Sequence, residues 1–446
     1  MDRTINRPAA SQIAFAMLLC GCATMIVRPA EFEPALMGLP IYDAFISTAL
    51  LLGYRGLQQR LSWRNLKQEP TTLCLVGVLF AIMASHLTRF YLGGALNGAI
   101  EFFKVMLLFA LIVSLTDTVS RMRTLLAVLA LSASLTVGLC VLDFLEVVEI
   151  EFITHISDVG GFDAANVRTR HNRMRGTGIF QDPNDLCLVI VFSGIACAYF
   201  LLDRRLKNAR LLLLIPLAIL VTGLLCTQSR GGLLAAGLGF LILVVCKHGK
   251  QAALLFGLMG LCVLPLIAGR QANIDLGEGG TGHERITLWR DGLAALRSPA
   301  ILFGVGQGMY EEYADLVAHN SFVHAFVELG LIGGTLFLGC FYFPAMALWQ
   351  LRHERHQLNH PELQRLYPFI VAMLAGWTMS LQSLSRVYVV STYLMLGVQV
   401  AYTNLVAMHL EPRRLVTSWD RSHLLRLAAC SMLVFVFFNV FVVVFA

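Results

Sequence analysis

Apolar runs recur along the whole chain, with polar and charged residues gathered between them. Most of these runs are roughly 17 to 22 residues long, the length an α-helix needs to cross about 30 Å of hydrocarbon. They lie at 11–27, 35–52, 71–86, 98–116, 124–145, 186–202, 211–226, 231–246, 252–268, 321–351, 366–384, 387–409 and 424–446. This pattern predicts an all-α fold, a polytopic membrane helical bundle of about 12 to 13 transmembrane helices. The long polar interruptions fall at 146–185 and 269–320, so the chain reads as N-terminal helices over 1–145, a core with two loops over 146–350 and C-terminal helices over 351–446.

Composition narrows the class further. Hydrophobic residues make up 57% of the chain and charged residues 14%, against about 25% charged in soluble domains, which excludes a soluble globular protein. The eleven cysteines all lie in or beside apolar runs. That distribution argues against a disulfide framework or a zinc site and for small apolar packing residues. The LCGC of 19–22 has the look of a lipoprotein cleavage site, but the polytopic pattern makes the first run a spanning helix.

The net charge of +6 is less informative than the side on which charge lies. Basic residues crowd alternate short loops: Arg3 and Arg7; Arg55, Arg60, Arg64 and Lys67; Arg121 and Arg123; Arg204, Arg205, Lys207 and Arg210; Lys247 and Lys250; Arg352, Arg355 and Arg365; Arg413, Arg414, Arg421 and Arg426. The positive-inside rule makes these cytoplasmic, with the amino terminus inside. Both long loops are then extracytoplasmic. Their basic residues are all arginine: Arg168, Arg170, Arg173, Arg175, Arg270, Arg285, Arg290 and Arg297. A planar guanidinium grips phosphate or carboxylate oxygens two at a time and keeps its charge when partly desolvated, so these loops are expected to hold an anion.

Four stretches carry the candidate chemistry. In RTRHNRMRGTGIFQDPNDL, 168–186, four arginines precede glycines and the Asp182-Pro183-Asn184 turn, with Asn184 or Asp185 expected as the cap of the next helix. In CTQSRGG, 226–232, Arg230 is the single charge of a tight turn between two spans. HERITLWRDGLAALRSP, 283–299, spaces Ile286, Trp289, Leu293 and Leu296 as an amphipathic helix lying on the membrane surface, with a flexible FGVGQGMY turn after it. In AHNSFVHAFVELGLIGG, 318–334, His319 and Asn320 stand where a polar loop enters an apolar helix. An imidazole there can take a proton from a hydroxyl, and its bland alternative is to cap the helix. The cytoplasmic RHERHQLNH, 352–360, does not have zinc-protease spacing and reads as a basic segment.

Together, RMRGTGIFQDPN (173–184), TQSRGG (227–232), RITLW (285–289), LFGVGQG (302–308) and HNSFVHAFVELGLIG (319–333) resemble, in order and separation, the O-antigen ligase and polymerase superfamily. The resemblance implies that 146–350 is an O-antigen ligase-like catalytic core. It implies a bacterial inner-membrane glycosyltransferase that uses a polyprenyl-diphosphate-linked glycan donor, a glycan or lipid-core acceptor, no cofactor, no metal, no nucleotide sugar and no nucleic acid. Membrane lipid and other polysaccharide assembly proteins are the further partners it implies.

Carried over by position, Arg175, Arg230 and His319 are the expected catalytic residues, with Asn320, Arg173, Asp182, Asn184, Arg285, Arg290 and Glu328 as substrate-binding residues. The two arginines suit stabilisation of a leaving diphosphate and His319 suits deprotonation of the acceptor, with Asp182, Asp315 and Glu328 as fallback bases. Direct displacement with inversion at the anomeric carbon is the expected course. The alternatives are a transporter or flippase of lipid-linked oligosaccharides and a non-catalytic scaffold.

Overall fold

A computed structural model describes residues 9–162, 168–267, 281–296, 300–411 and 417–445. Arg3, Arg7, Arg270, Arg297, Arg413 and Arg414 lie outside the described residues, as do the side chains of Arg168, Arg170 and His171. The elements run α1 (Ala9–Val27), α2 (Ile41–Arg60), α3 (Trp63–Leu66), α4 (Pro70–Leu87), α5 (Leu92–Leu115), α6 (Val119–Phe144), β1 (Ile156–Phe162), β2 (Arg168–Arg173), α7 (Pro183–Leu201), α8 (Leu214–Cys226), α9 (Arg230–Ile267), α10 (Thr281–Ala294), α11 (Ala300–Phe303), α12 (Ser321–Glu354), α13 (Pro361–Ser380), α14 (Val390–His409) and α15 (Arg421–Phe445).

The protein is a polytopic helical membrane bundle. Among the described residues, nine helical stretches are long and apolar enough to cross a membrane: α1, α4, α5, α6, α7, α8 with the 3-10 turns before it, α9, α12 and α15. The expected count was higher for two reasons. Helices α2, α13 and α14 reach 20 residues each but are more polar. Helix α9 is two expected spans joined across Gly249, where φ is 87°. Among the described residues the two strands form an antiparallel β1–β2 hairpin inside the first long loop, which pairs Ile156 with Arg173 and Asp158 with His171.

The helices pack as two units, each drawn from three stretches of chain. One comprises Met1–Leu52, Ser120–Asn273 and Pro368–Ser380; the other comprises Gly53–Val119, Ile274–Tyr367 and Leu381–Ala446. In the second, α4 and α12 approach closely at small residues, the means by which helices associate where lipid removes the hydrophobic drive. A Cβ on Gly333 would lie 3.0 Å from the Ala81 Cβ, and one on Gly339 would lie 2.6 Å from the Cys74 Sγ. In the first unit α9 meets α7 the same way, with the Cys187 Sγ 2.3 Å from where a Cβ on Gly232 would sit.

Helix α12, expected as one continuous span, is broken at Gly330, which adopts φ 68° and ψ −170°. The break frees backbone carbonyls that a continuous helix would pair. The FGVGQG segment supplies the donors: Val305 N–H bonds the Val327 carbonyl at 2.9 Å and Gly306 N–H bonds the Glu328 carbonyl at 3.1 Å. This corrects the expectation of a flexible turn, because the segment is bonded into the helix it was expected merely to reach.

Gly304 sits at φ 82° with the Glu328 carbonyl oxygen 2.1 Å from the position of a Cβ, whereas Gly308, at φ 75°, has open space there. Gly304→Ala is therefore expected to cost roughly 3 kcal/mol, against about 1 kcal/mol for Gly308→Ala, which meets backbone strain alone. Thermal unfolding in detergent checks the order of the two variants, and equal midpoints would show that the loop is not docked on α12.

Candidate functional site

In the first unit the site is built on two helix beginnings. Helix α7 starts at Asp182, not at Asn184 or Asp185 as expected. The Asp182 Oδ1 accepts from Asn184 N–H at 2.7 Å, and Pro183 takes the first helical position, where its missing N–H costs nothing. Helix α9 starts after Ser229, whose hydroxyl oxygen accepts from Gly232 N–H at 2.9 Å. The same hydroxyl donates to the Asn184 Oδ1 at 2.5 Å, which ties the two beginnings together. Arg230 is the first residue of α9 and is half-buried. Adjacent helix N-termini present unpaired N–H groups and positive dipole ends, so anions are favoured there.

The arginines of the first loop run beside these ends. Met174 N–H bonds the Cys226 carbonyl at 3.0 Å and the Arg173 Nε bonds the Thr227 carbonyl at 3.2 Å, so this strand end closes the last turn of α8 just before Arg230. The Arg175 Nε donates to the Gln181 carbonyl and its Nη1 to the Thr154 carbonyl at 3.4 Å. Glu31 accepts from Gly178 N–H at 2.8 Å while pairing with Arg28 at 3.1 Å, and the Arg28 side chain fills the space a Cβ on Gly178 would need. Arg173, Arg175, Asp182, Asn184 and Arg230 are thus gathered at one end of α7, α8 and α9. Gln228, in the turn before Arg230, takes a left-handed φ of 51°.

In the second unit His319 also takes a left-handed φ, 48°. It does not cap the helix. Asn320 does, with its Oδ1 accepting from Phe322 N–H at 3.0 Å and Val323 N–H at 3.2 Å while its Nδ2 donates to the Gln382 Oε1 at 3.0 Å. Asn320 is 1% exposed and His319 is half-exposed beside it.

Glu328 faces inward at 1% exposure: its Oε1 accepts from Tyr310 N–H at 3.1 Å and its Oε2 lies 3.0 Å from the His324 Nε2. Tyr388 also faces it. This carboxylate binds the glycine loop to α12.

Arg290 is exposed and pairs with Asp291 at 2.9 Å; Arg285 is half-buried. Helix α10 packs its Ile286, Leu288 and Leu293 inward, each under a tenth exposed, with Trp289 against α15, so the apolar face expected to meet lipid meets protein.

His155 and Asp143 escaped the sequence reading, since neither stands in a motif. The His155 Nε2 lies 2.9 Å from the Asp143 Oδ2, and its Nδ1 receives a long contact of 3.4 Å from Arg175 N–H. His324, four residues before Glu328 on one helix face, had a readable spacing.

Burial pushes the His155 imidazole below the ordinary histidine range, with Asp143 pulling the other way and Arg175 adding to the depression. A depressed histidine costs nothing at high pH. As pH falls below about 6.5 the unfolded chain takes up the proton first, so stability is lost on acidification. The thermal midpoint is expected to fall between about pH 7 and pH 5, less steeply in His155→Gln than in the native chain. Identical pH profiles would remove His155 from that account.

Residues 215–338 match the family model described as O-antigen ligase. The match takes in the Ser229–Arg230 turn, α10, the glycine loop, His319 and the break in α12, and leaves out Arg173 and Arg175. No curated protein matches the chain. The broken α12, the glycine loop bonded to it and the arginine-headed α9 all lie inside this stretch, so over residues 215–338 the chain is similar to the O-antigen ligase family.

Proposed function

We propose that this protein is a multi-pass bacterial membrane glycosyltransferase that moves a glycan from a polyprenyl diphosphate onto an acceptor hydroxyl, in surface polysaccharide polymerisation or ligation. The observation that carries the reading is the Ser229–Asn184 bond, which joins the beginnings of α7 and α9 among Arg173, Arg175 and Arg230. Such a cluster suits a diphosphate. Guanidinium groups and helix N-termini stabilise the negative charge that grows as the glycosidic C–O bond breaks, without reorganising at the moment of reaction. Because the donor carries its own leaving group, no nucleotide is needed, and the guanidinium groups perform the charge neutralisation that a metal performs elsewhere.

The other half of the reaction is proton removal. His319 takes the proton of the acceptor hydroxyl, the hydroxyl oxygen forms the new bond to the anomeric carbon, and the diphosphate leaves with the electron pair of the broken bond. Asn320, whose amide groups serve the helix end and Gln382, fixes the backbone at His319. A single displacement inverts the anomeric configuration. The charge distribution of the short loops supports an extracytoplasmic site.

The broken α12 is the observation that favours the transporter reading, because transporters bind substrate at discontinuous helices. Here the Val327 and Glu328 carbonyls at the break each accept a backbone N–H, from Val305 and Gly306, so a segment of this chain already serves the interruption. The enzyme reading is the better supported.

Arg175→Ala, Arg230→Ala and His319→Ala are each expected to reduce transfer about 100-fold or more at unchanged protein level, and a metal chelator to leave the rate unaltered. Surface glycan retained at normal length in all three variants would sink the reading. In a deletion strain, single repeats without long chains identify a polymerase, and polymer stranded on its carrier lipid identifies a ligase.

A further inference from the structure

The amphipathic spacing of α10 accounts for its buried Ile286 and Leu293, but not for where the Trp289 indole N–H is aimed. The Trp289 ring lies against Phe438 and Phe441 of α15, with centroids 5.6 and 5.9 Å away. Its Nε1 donates to the Ala318 carbonyl at 2.6 Å. Ala318 is fully buried and directly precedes His319.

That position matters because His319 holds φ 48° without being glycine. A left-handed residue of this kind is strained and persists only where its neighbours over-determine it. On the C-terminal side Asn320 does so by capping α12. On the N-terminal side the Ala318 carbonyl accepts from the Trp289 indole. Helix α10 is itself held in register: the Tyr310 hydroxyl donates to the Leu288 carbonyl at 2.8 Å, and Tyr310 N–H is bound by Glu328 at 3.1 Å. A continuous set of bonds therefore runs from the buried Glu328 through Tyr310 and α10 to the peptide before His319.

We infer that Trp289 is a positioning residue: its indole N–H fixes the peptide on the N-terminal side of His319 and so aims the imidazole at the acceptor. This rests on the reading of His319 as the base. Position is worth much in such a step, since a misplacement of about 1 Å can cost about 100-fold in rate.

The test uses the full-length protein in membrane vesicles with a polyprenyl-diphosphate-linked repeat unit as donor, following its consumption. Trp289→Phe keeps an aromatic ring against α15 and loses the N–H. It is expected to lower kcat at least about tenfold with donor KM and thermal midpoint little changed, and to cause no further loss in a His319→Ala background. Phe438→Leu, which keeps the N–H, is expected to stay near the native rate. A benzothiophene analogue of tryptophan at 289, with sulfur in place of N–H, asks the same question without altering ring shape and is expected to behave as Trp289→Phe does.

A native kcat in Trp289→Phe and in the analogue, with His319→Ala inactive, overturns this inference and leaves the base assignment standing. So does a parallel fall of kcat and midpoint in both backgrounds, which marks a packing brace. A fully active His319→Ala removes the base assignment and this inference with it.

Discussion

A helix interrupted inside an apolar environment must find partners for the carbonyls it frees, because no water is there to serve them, and each one left unpaired costs several kcal/mol. Helix α12 is interrupted at Gly330, and much of the second unit follows from that demand. The glycine segment 304–308 enters backbone first, since a side chain at Gly304 would collide with the Glu328 peptide. Its donors, Val305 and Gly306, close the break. The short first part of α12 is thereby held as a separate piece, with His319 and Asn320 at its beginning and the buried Glu328 near its end.

The first unit meets the same demand at helix ends. Asp182 and Ser229 serve the open N–H groups of α7 and α9, while Met174 and Arg173 serve the last carbonyls of α8. Satisfying these ends has a chemical by-product. It brings arginines to the positive ends of two helices, a combination that would be repulsive without an anion and is suited to one carrying two phosphates. The proposed chemistry uses what the helix ends already require.

Buried polar groups divide between the two tasks. Asn320 and Glu328 are each about as buried as a core leucine; Asn320 serves the start of its own helix and the Gln382 side chain, and Glu328 accepts from Tyr310 N–H beside His324. Removing one partner of such a pair strands the other, so these residues report on stability as much as on chemistry. His319 and Arg230 are half-exposed and stand at chain positions that strain or a tight turn keeps in place. Residues of that kind are where a substrate can be met.

The sequence alone was enough for what depends on neighbours along the chain. Apolar run length marked the spans, the Asp-Pro-Asn turn marked the start of α7, the charged break near Gly249 marked the bend in α9, and the His-Asn-Ser junction marked the start of α12. The motifs, read in order, pointed to the superfamily. Tertiary structure decided what depends on contacts between distant segments: that Gly330 breaks α12, that the glycine loop is bonded into that break, and that α10 turns its tryptophan to Ala318. The β1–β2 hairpin and the His155–Asp143 pair belong with these. Glycine within an apolar run reads the same whether the helix continues or stops. Which occurs is settled by whether another segment brings N–H groups to the carbonyls, and spacing along one chain does not encode where that segment will lie.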